Sequence, residues 1–140
     1  MARVLCINDF FMYSEMMALF LEKKGGHEVK VLLVPFDLRE VRDFDPDVIL
    51  ASLVRKTEAL GTPIHDFYAQ VDGARALRTI EDMPEFRDYP LIVTAMALVE
   101  SELPDGLEYM AFVEVPNRLD HLLRIIGQLA KSRGHVVAPD

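Results

Sequence analysis

Ser52 is the side chain best placed for nucleophilic chemistry, because it closes the apolar run 48–51, which reads as a buried strand. A serine hydroxyl is neutral near pH 7 and attacks only when a base removes its proton. His65, beside Asp66 in the segment that follows, is a candidate base, and the pair would make a hydrolase or transferase. No third group or oxyanion arrangement accompanies them, so the chain is read as a non-enzyme. His27, His65, His121 and His135 fall on different elements and lack metal-ligand spacing, such as two histidines one helical turn apart. Asn8 and Asp9 close the first apolar run. Asp9 is read as a cap on the helix that follows, its carboxylate accepting free backbone N–H groups, and at most as a weak metal ligand. Arg55 and Lys56 bring positive charge close to Ser52. A salt bridge to Asp9 or a solvated loop is a simpler reading of them than anion binding. Gly25, Gly26 and Gly61 form no phosphate cradle, and the junction Asn8-Asp9-Phe10-Phe11 lacks the small residues a flavin or dinucleotide phosphate needs. No cofactor is expected.

These residues are positioned by an alternation of apolar runs and amphipathic stretches. Strands are expected at 3–7, 27–34, 48–52, 89–95 and 110–115. Each is a short, nearly unbroken apolar run, as strands buried on both faces are. The central one is opened by Asp45-Pro46-Asp47, which a helix cannot comfortably cross. Helices are expected at 10–24, with Met17, Phe20 and Leu21 inward, and at 37–44. A third begins near 66 or 72 and runs to 83, with Phe67, Val71, Ala74, Leu77 and Ile80 at helical spacing. A short one covers 99–103. A last one runs from an Asn117 cap to about 132, burying Leu119, Leu122, Leu123, Ile126 and Leu129. The segment 53–72 has no clean period, and loops of that length are often functional. Five strands alternating with helical stretches imply parallel βαβ units with right-handed crossovers. The expected fold is α/β: a flavodoxin-like, doubly wound (βα)5 three-layer sandwich on a five-stranded parallel sheet.

Composition narrows the function classes. The 140 residues make one domain, taken as 1–133 with a flexible tail at 134–140. A net charge of −8 argues against nucleic acid as a direct partner, since a phosphate backbone would repel it. No apolar run approaches the roughly 20 residues of a membrane span, and no signal sequence opens the chain. The single cysteine, Cys6, lies in a core strand and cannot form an internal disulfide. A cytoplasmic address is the simplest expectation.

Taken in order, several pieces resemble the receiver domain of two-component response regulators over nearly all of 3–130. Val4-Leu5-Cys6-Ile7-Asn8-Asp9 is similar to the first strand and the family's acidic pair. Pro46-Asp47-Val48-Ile49-Leu50-Ala51-Ser52 is similar to the strand that normally ends in the phosphorylated aspartate. Asp72-Gly73, with Leu77 and Ile80, resembles the start of the third helix. Pro90-Leu91-Ile92-Val93-Thr94-Ala95 matches the strand with the Thr-Ala switch. Phe112-Val113-Glu114-Val115-Pro116 resembles the fifth strand with its aromatic residue and Lys-Pro.

The resemblance implies the fold but not the family's chemistry. Ser52 stands at the acceptor position, Val115 at the lysine position and Asn8 in place of one acid, leaving Asp9 alone. Mg²⁺ ligation and aspartyl phosphorylation at the usual place are therefore not expected. The expected function is that of a stand-alone pseudo-receiver, a phosphorylation-independent interaction and signalling module. Thr94 and Phe112 are switch-like positions. Leu103, Leu107, Tyr109 and Met110 are a candidate surface for another signalling protein or for a homodimer through the last two helices and fifth strand. Segment 53–72 is a second candidate surface. The alternative is a receiver-like regulator switched by a small ligand or anion held in the pocket of Asn8, Asp9, Ser52 and Thr94.

Overall fold

A computed structural model describes residues 1–9 and 11–137, with side chains described for 1–9 and 13–130. The chain order is β1 (Arg3–Asn8), α1 (Phe11–Gly25), β2 (Glu28–Leu33), α2 (Leu38–Phe44), β3 (Val48–Arg55), α3 (Phe67–Gln70), β4 (Val71–Asp72), α4 (Ala74–Asp82), β5 (Leu91–Met96), β6 (Ala111–Glu114) and α5 (Leu119–Val137). The sheet order is β2-β1-β3-β5-β6, all parallel, with β4 an antiparallel two-residue addition to the end of β3. The expected doubly wound, five-stranded parallel sheet is therefore present.

The apolar runs become strands because both sheet faces are covered. Leu5, Ile7, Ile49, Ala51 and Leu53 point to the side of α2 and α4, where they meet Val41, Leu77 and Ile80. Val4, Cys6, Val48, Leu50 and Ile92 point to the other side, against Met17, Leu21, Leu122 and Ile126 of α1 and α5. Burying a side chain such as Leu50 or Ile92 completely is worth roughly 1.5–3 kcal/mol, which is why the central strands carry the apolar residues. Helix α1 ends as its double glycine suggests. Gly26 takes φ of 66° and its N–H donates to the Glu22 carbonyl. Asp37 caps α2, its carboxylate accepting the Arg39 N–H at 2.9 Å.

Four features differ from the sequence expectation. First, β3 does not end at Ser52 but continues to Arg55, because Leu53, Val54 and Arg55 find partners in β5 and β4. Second, of the two starts expected for the helix that runs to 83, the later one, near 72, is close to the observed α4, while a helix from 66 is broken. Val71 and Asp72 pair with β3, and Gly73 at φ of 92° turns the chain into α4. Val71 is buried as expected, but from a strand. Third, the helix expected at 99–103 is a single 3₁₀ turn, Glu100–Glu102, so no regular helix lies between β5 and β6. Fourth, α5 starts at Leu119, two residues past the expected Asn117 cap, and its backbone stays helical to Val137. The expected flexible tail at 134–140 is thus helical over its first four residues, and 138–140 lie outside the described residues, as does Phe10.

Candidate functional site

The residues singled out from sequence converge at the carboxyl ends of β1, β3 and β5. Ser52 pairs with Thr94, and Thr94 with Val113, in one row across the sheet. Asn8, Ser52 and Thr94 are all buried. The Thr94 hydroxyl donates to Ser52 Oγ at 2.9 Å. Tyr13, from the first half of α1, completes this row through a hydrogen bond with the Thr94 side chain; burial, opposed by that bond, pushes its phenol above the ordinary value. The result is a line of three hydroxyls, Tyr13, Thr94 and Ser52.

The chain's own backbone then covers Ser52. Gly73 sits so close that a methyl group on its Cα would lie 2.0 Å from the Ser52 carbonyl oxygen and 3.3 Å from Asn8 Oδ1. Only a residue without a side chain fits there, and its φ of 92° asks for glycine as well. Asp9 fixes this arrangement. Its carboxylate accepts the N–H of Gly73 at 2.8 Å and of Arg75 at 3.2 Å. Asp9 is therefore a helix cap for α4, 64 residues away; the cap position of α1, expected at Asp9, falls at Phe10, outside the described residues. Helix α4 has no capping side chain of its own, so these N–H groups depend on it.

That geometry decides what the donor set can hold. Mg²⁺ wants near-octahedral oxygen ligation anchored on one or two carboxylates. Here both Asp9 oxygens face N–H donors, and Asn8 Oδ1 accepts the Asp9 N–H at 2.7 Å. The residues present do not fit Mg²⁺, and among the described residues no three His, Cys, Asp or Glu side chains converge as a metal site. Val115 is buried in the core facing α1 and α5, its N–H donating to the Ala95 carbonyl. Phe112 is half-buried against the opposite face. His65 is exposed, and Cys6 is no nucleophile, since burial, helped by Glu22, pushes its thiol up to about 12.

Arg55, read from sequence as a partner for Asp9 or a loop charge, does something else. Its Nε donates to the Ala97 carbonyl at 2.7 Å, its Nη1 to the Thr62 carbonyl at 2.8 Å, and its Nη2 pairs with Glu102. The Val99 N–H first, and then the Arg55 guanidinium, hold the Glu102 carboxyl below its ordinary value. One side chain thereby ties the end of β3 to both segments that follow β3 and β5. The contacts made by Tyr13, Gly73 and Arg55 were not legible in the sequence, although Arg55 and Gly73 were themselves noticed there. Only Gly73 carried a signal, as the second half of an Asp-Gly turn pair.

Of the candidate surface residues, Met110 is exposed, while Leu103, Leu107 and Tyr109 are half-buried against the core. The Tyr109 hydroxyl donates to Glu100. Two cavities, of about 350 and 190 Å³, lie by Tyr89 near the start of β5, and neither is lined by Asn8, Asp9, Ser52, Thr94 or Val115.

A parallel sheet in this order, with helices on both faces and the Thr94 row at its carboxyl end, is the fold of the response regulator receiver domain. Among solved structures, the chain is similar to the signal receiver domain of the DNA-binding response regulator merR from Colwellia psychrerythraea 34H. That structure is 20% identical, with TM-score 0.61, over 94% of this chain and 99% of the other. A sensor protein from Polaromonas sp. JS666 is likewise 20% identical, TM-score 0.62, over 94% and 97%. NtrX from Brucella abortus is 18% identical, TM-score 0.60, and the match spans 99% of this chain but 29% of NtrX. At such identities the likeness is one of fold. No protein-family model and no curated protein matches the sequence.

Proposed function

We propose that this chain is an atypical receiver, a signalling module that works by docking and without phosphorylation. The observation that carries this reading is Ser52. It stands where the resemblance puts the phospho-accepting aspartate, it is buried, it accepts the Thr94 hydroxyl, and the Gly73 backbone lies against its carbonyl. A serine in that setting lacks the negative charge that attacks phosphorus and a free base to create it. Asp9, the carboxylate that follows β1, is committed to α4. Val115 offers a buried aliphatic surface where the resemblance would have a lysine to pair with a phosphoryl group.

The fold residues meanwhile remain, so the chain keeps a rigid body on which to dock. The partner in this reading is another signalling protein or a second copy of the chain. The surface is the non-helical stretch between β5 and β6, where Val99 and Met110 are exposed, with Leu103, Leu107 and Tyr109 behind. Among the described residues no helix is long and apolar enough to cross a membrane, and a cytoplasmic place of work fits this reading.

Intact-mass spectrometry after incubation with acetyl phosphate and Mg²⁺ tests the proposal. The expected spectrum shows no phosphoryl adduct, in the wild type or in Ser52→Ala. An adduct that survives in Ser52→Ala would mean that another acid has become the acceptor, and phosphorylation-independence would be wrong.

A further inference from the structure

The larger cavity, about 350 Å³, lies away from the Ser52 row, but Leu107, Tyr109 and Met110 line it and also belong to the docking surface proposed above. It opens beside the starts of β5 and β6, between the last turn of α4, the 3₁₀ turn Pro84–Asp88 and the segment leading into β6. Its volume is that of a small-ligand site. Three aromatic residues contribute to its wall. Phe86 is buried and held edge-on against Phe36, with ring centroids 5.9 Å apart. Tyr109 is anchored through its hydroxyl to Glu100, and Tyr89 is half-buried at the entry to β5. Glu81 and Glu108 add two carboxylates to the same wall.

The charge balance around this cavity is one-sided. Arg87 is the single cation among the described lining residues. The flanking chain contributes Asp82, Glu85, Asp88 and Asp105, all exposed. Arg78, one turn before Glu81, is engaged elsewhere, 3.8 Å from Asp82 and 5.2 Å above the Tyr68 ring. Burial first, and then Asp82, hold the Glu81 carboxyl above its ordinary value, with Arg78 opposing them only in part.

We propose that this cavity binds a small organic cation, an ammonium or quaternary ammonium group set against the Tyr89 and Tyr109 rings with Glu81 and Glu108 as its counter-charges. The negative faces of aromatic rings attract such ions, and weakly hydrated alkylammonium groups lose little on leaving water. The carboxylates supply the remaining attraction and exclude anions. Arg87 works against the ligand. The site therefore makes a prediction of opposite sign for neighbouring charges on one wall. The inference does not depend on the Ser52 part of the receiver reading, since none of these residues belongs to that row, although Tyr109 is shared with the proposed docking surface.

The test is a titration of choline chloride into ¹⁵N-labelled full-length protein, followed through the amides of Gly106, Leu107, Tyr109 and Met110. Sodium chloride at matched ionic strength and the neutral isostere 3,3-dimethylbutan-1-ol serve as controls. Choline should give saturable shifts confined to this region, and the isostere should bind about fivefold or more weakly. Glu81→Gln with Glu108→Gln should weaken choline binding by a similar factor, and Arg87→Gln should strengthen it. All three residues are exposed, so these variants keep the fold. N-acetyl-lysine methylamide forms a second arm. Tighter binding than choline would assign the cation to a partner's side chain, and weaker binding to a free small molecule. Equal binding of choline and its isostere, shifts reproduced by sodium chloride, or weakening by Arg87→Gln would each overturn the proposal.

Discussion

At the scale of single residues, Gly73 explains how the chain lies against the end of β3 at Ser52. Two separate demands fall on it: a positive φ, and contact with the Ser52 carbonyl with no room for a Cβ. Gly61 shares the first demand, at φ of 79°, but has nothing within 4 Å of where its Cβ would be. The pair separates conformation from contact. Gly61→Ala should cost about 1 kcal/mol, the ordinary penalty of a left-handed backbone for a residue with a Cβ. Gly73→Ala should cost at least about 2 kcal/mol more, because β4 must move off β3 to relieve the clash. Urea denaturation of both variants measures the difference. Equal losses would mean that the backbone does not lie on Ser52. Asp9 makes a companion prediction. Asp9→Ala removes the acceptor for two N–H groups at the start of α4 and should cost about 1–2 kcal/mol, while Asp9→Asn, which keeps an acceptor, should cost less. If millimolar Mg²⁺ raised the melting temperature of the wild type but not of Asp9→Asn, the capping role would be incomplete.

At the scale of elements, the connection between β5 and β6 departs furthest from a regular βα unit. Its apolar residues are too few and too unevenly spaced for a helix, and it is held instead by Arg55, whose guanidinium reaches Ala97 and Glu102 on one side and Thr62 on the other. A planar, five-donor fork can serve several acceptors at once, and a lysine ammonium cannot. Arg55→Lys should therefore cost about 2–3 kcal/mol and expose both 56–62 and 97–110 to limited proteolysis, leaving the cleavage pattern elsewhere unchanged. This device also marks the limit of what sequence shows. The five parallel strands were legible because a strand buried on both faces must be apolar throughout, and Val48-Ile49-Leu50-Ala51 carries that requirement openly. The break at Val71–Gly73 was not, because Val71 keeps the helical spacing of its neighbours while being buried from a two-residue strand. The Ser52, Thr94 and Asp9 cluster was legible as a place, through strand ends and resemblance. Its closure was not, since the Asp9–Gly73 and Arg55–Ala97 contacts span 64 and 42 residues and leave no periodic trace.

At the scale of the whole molecule, stability should depend on pH through one buried imidazole. His27 links the start of the chain to the α1–β2 junction. Its Nδ1 accepts the Ala2 N–H at 3.0 Å, and the backbone N–H of His27 donates to the Leu21 carbonyl. An acceptor nitrogen cannot carry a proton, so the folded state holds His27 neutral. Burial first, and then the nearby N-terminal amine, lower its pKa from the ordinary 6.5. The unfolded chain thus binds the proton more readily than the folded one. The stabilisation is complete above 6.5 and is lost as pH falls from 6.5 through the lower folded value. The carboxylates with lowered values, Asp37 and Glu102, also lose their contribution in acid, but only below their ordinary values of 3.8 and 4.5. The two effects occupy different windows. Urea unfolding at a series of pH values should show the wild type weakening between 6.5 and the carboxylate range. His27→Asn, which can present Oδ1 to the same Ala2 N–H without titrating, should stay flat there. Parallel curves for the two proteins across that interval would show that His27 is not the group responsible.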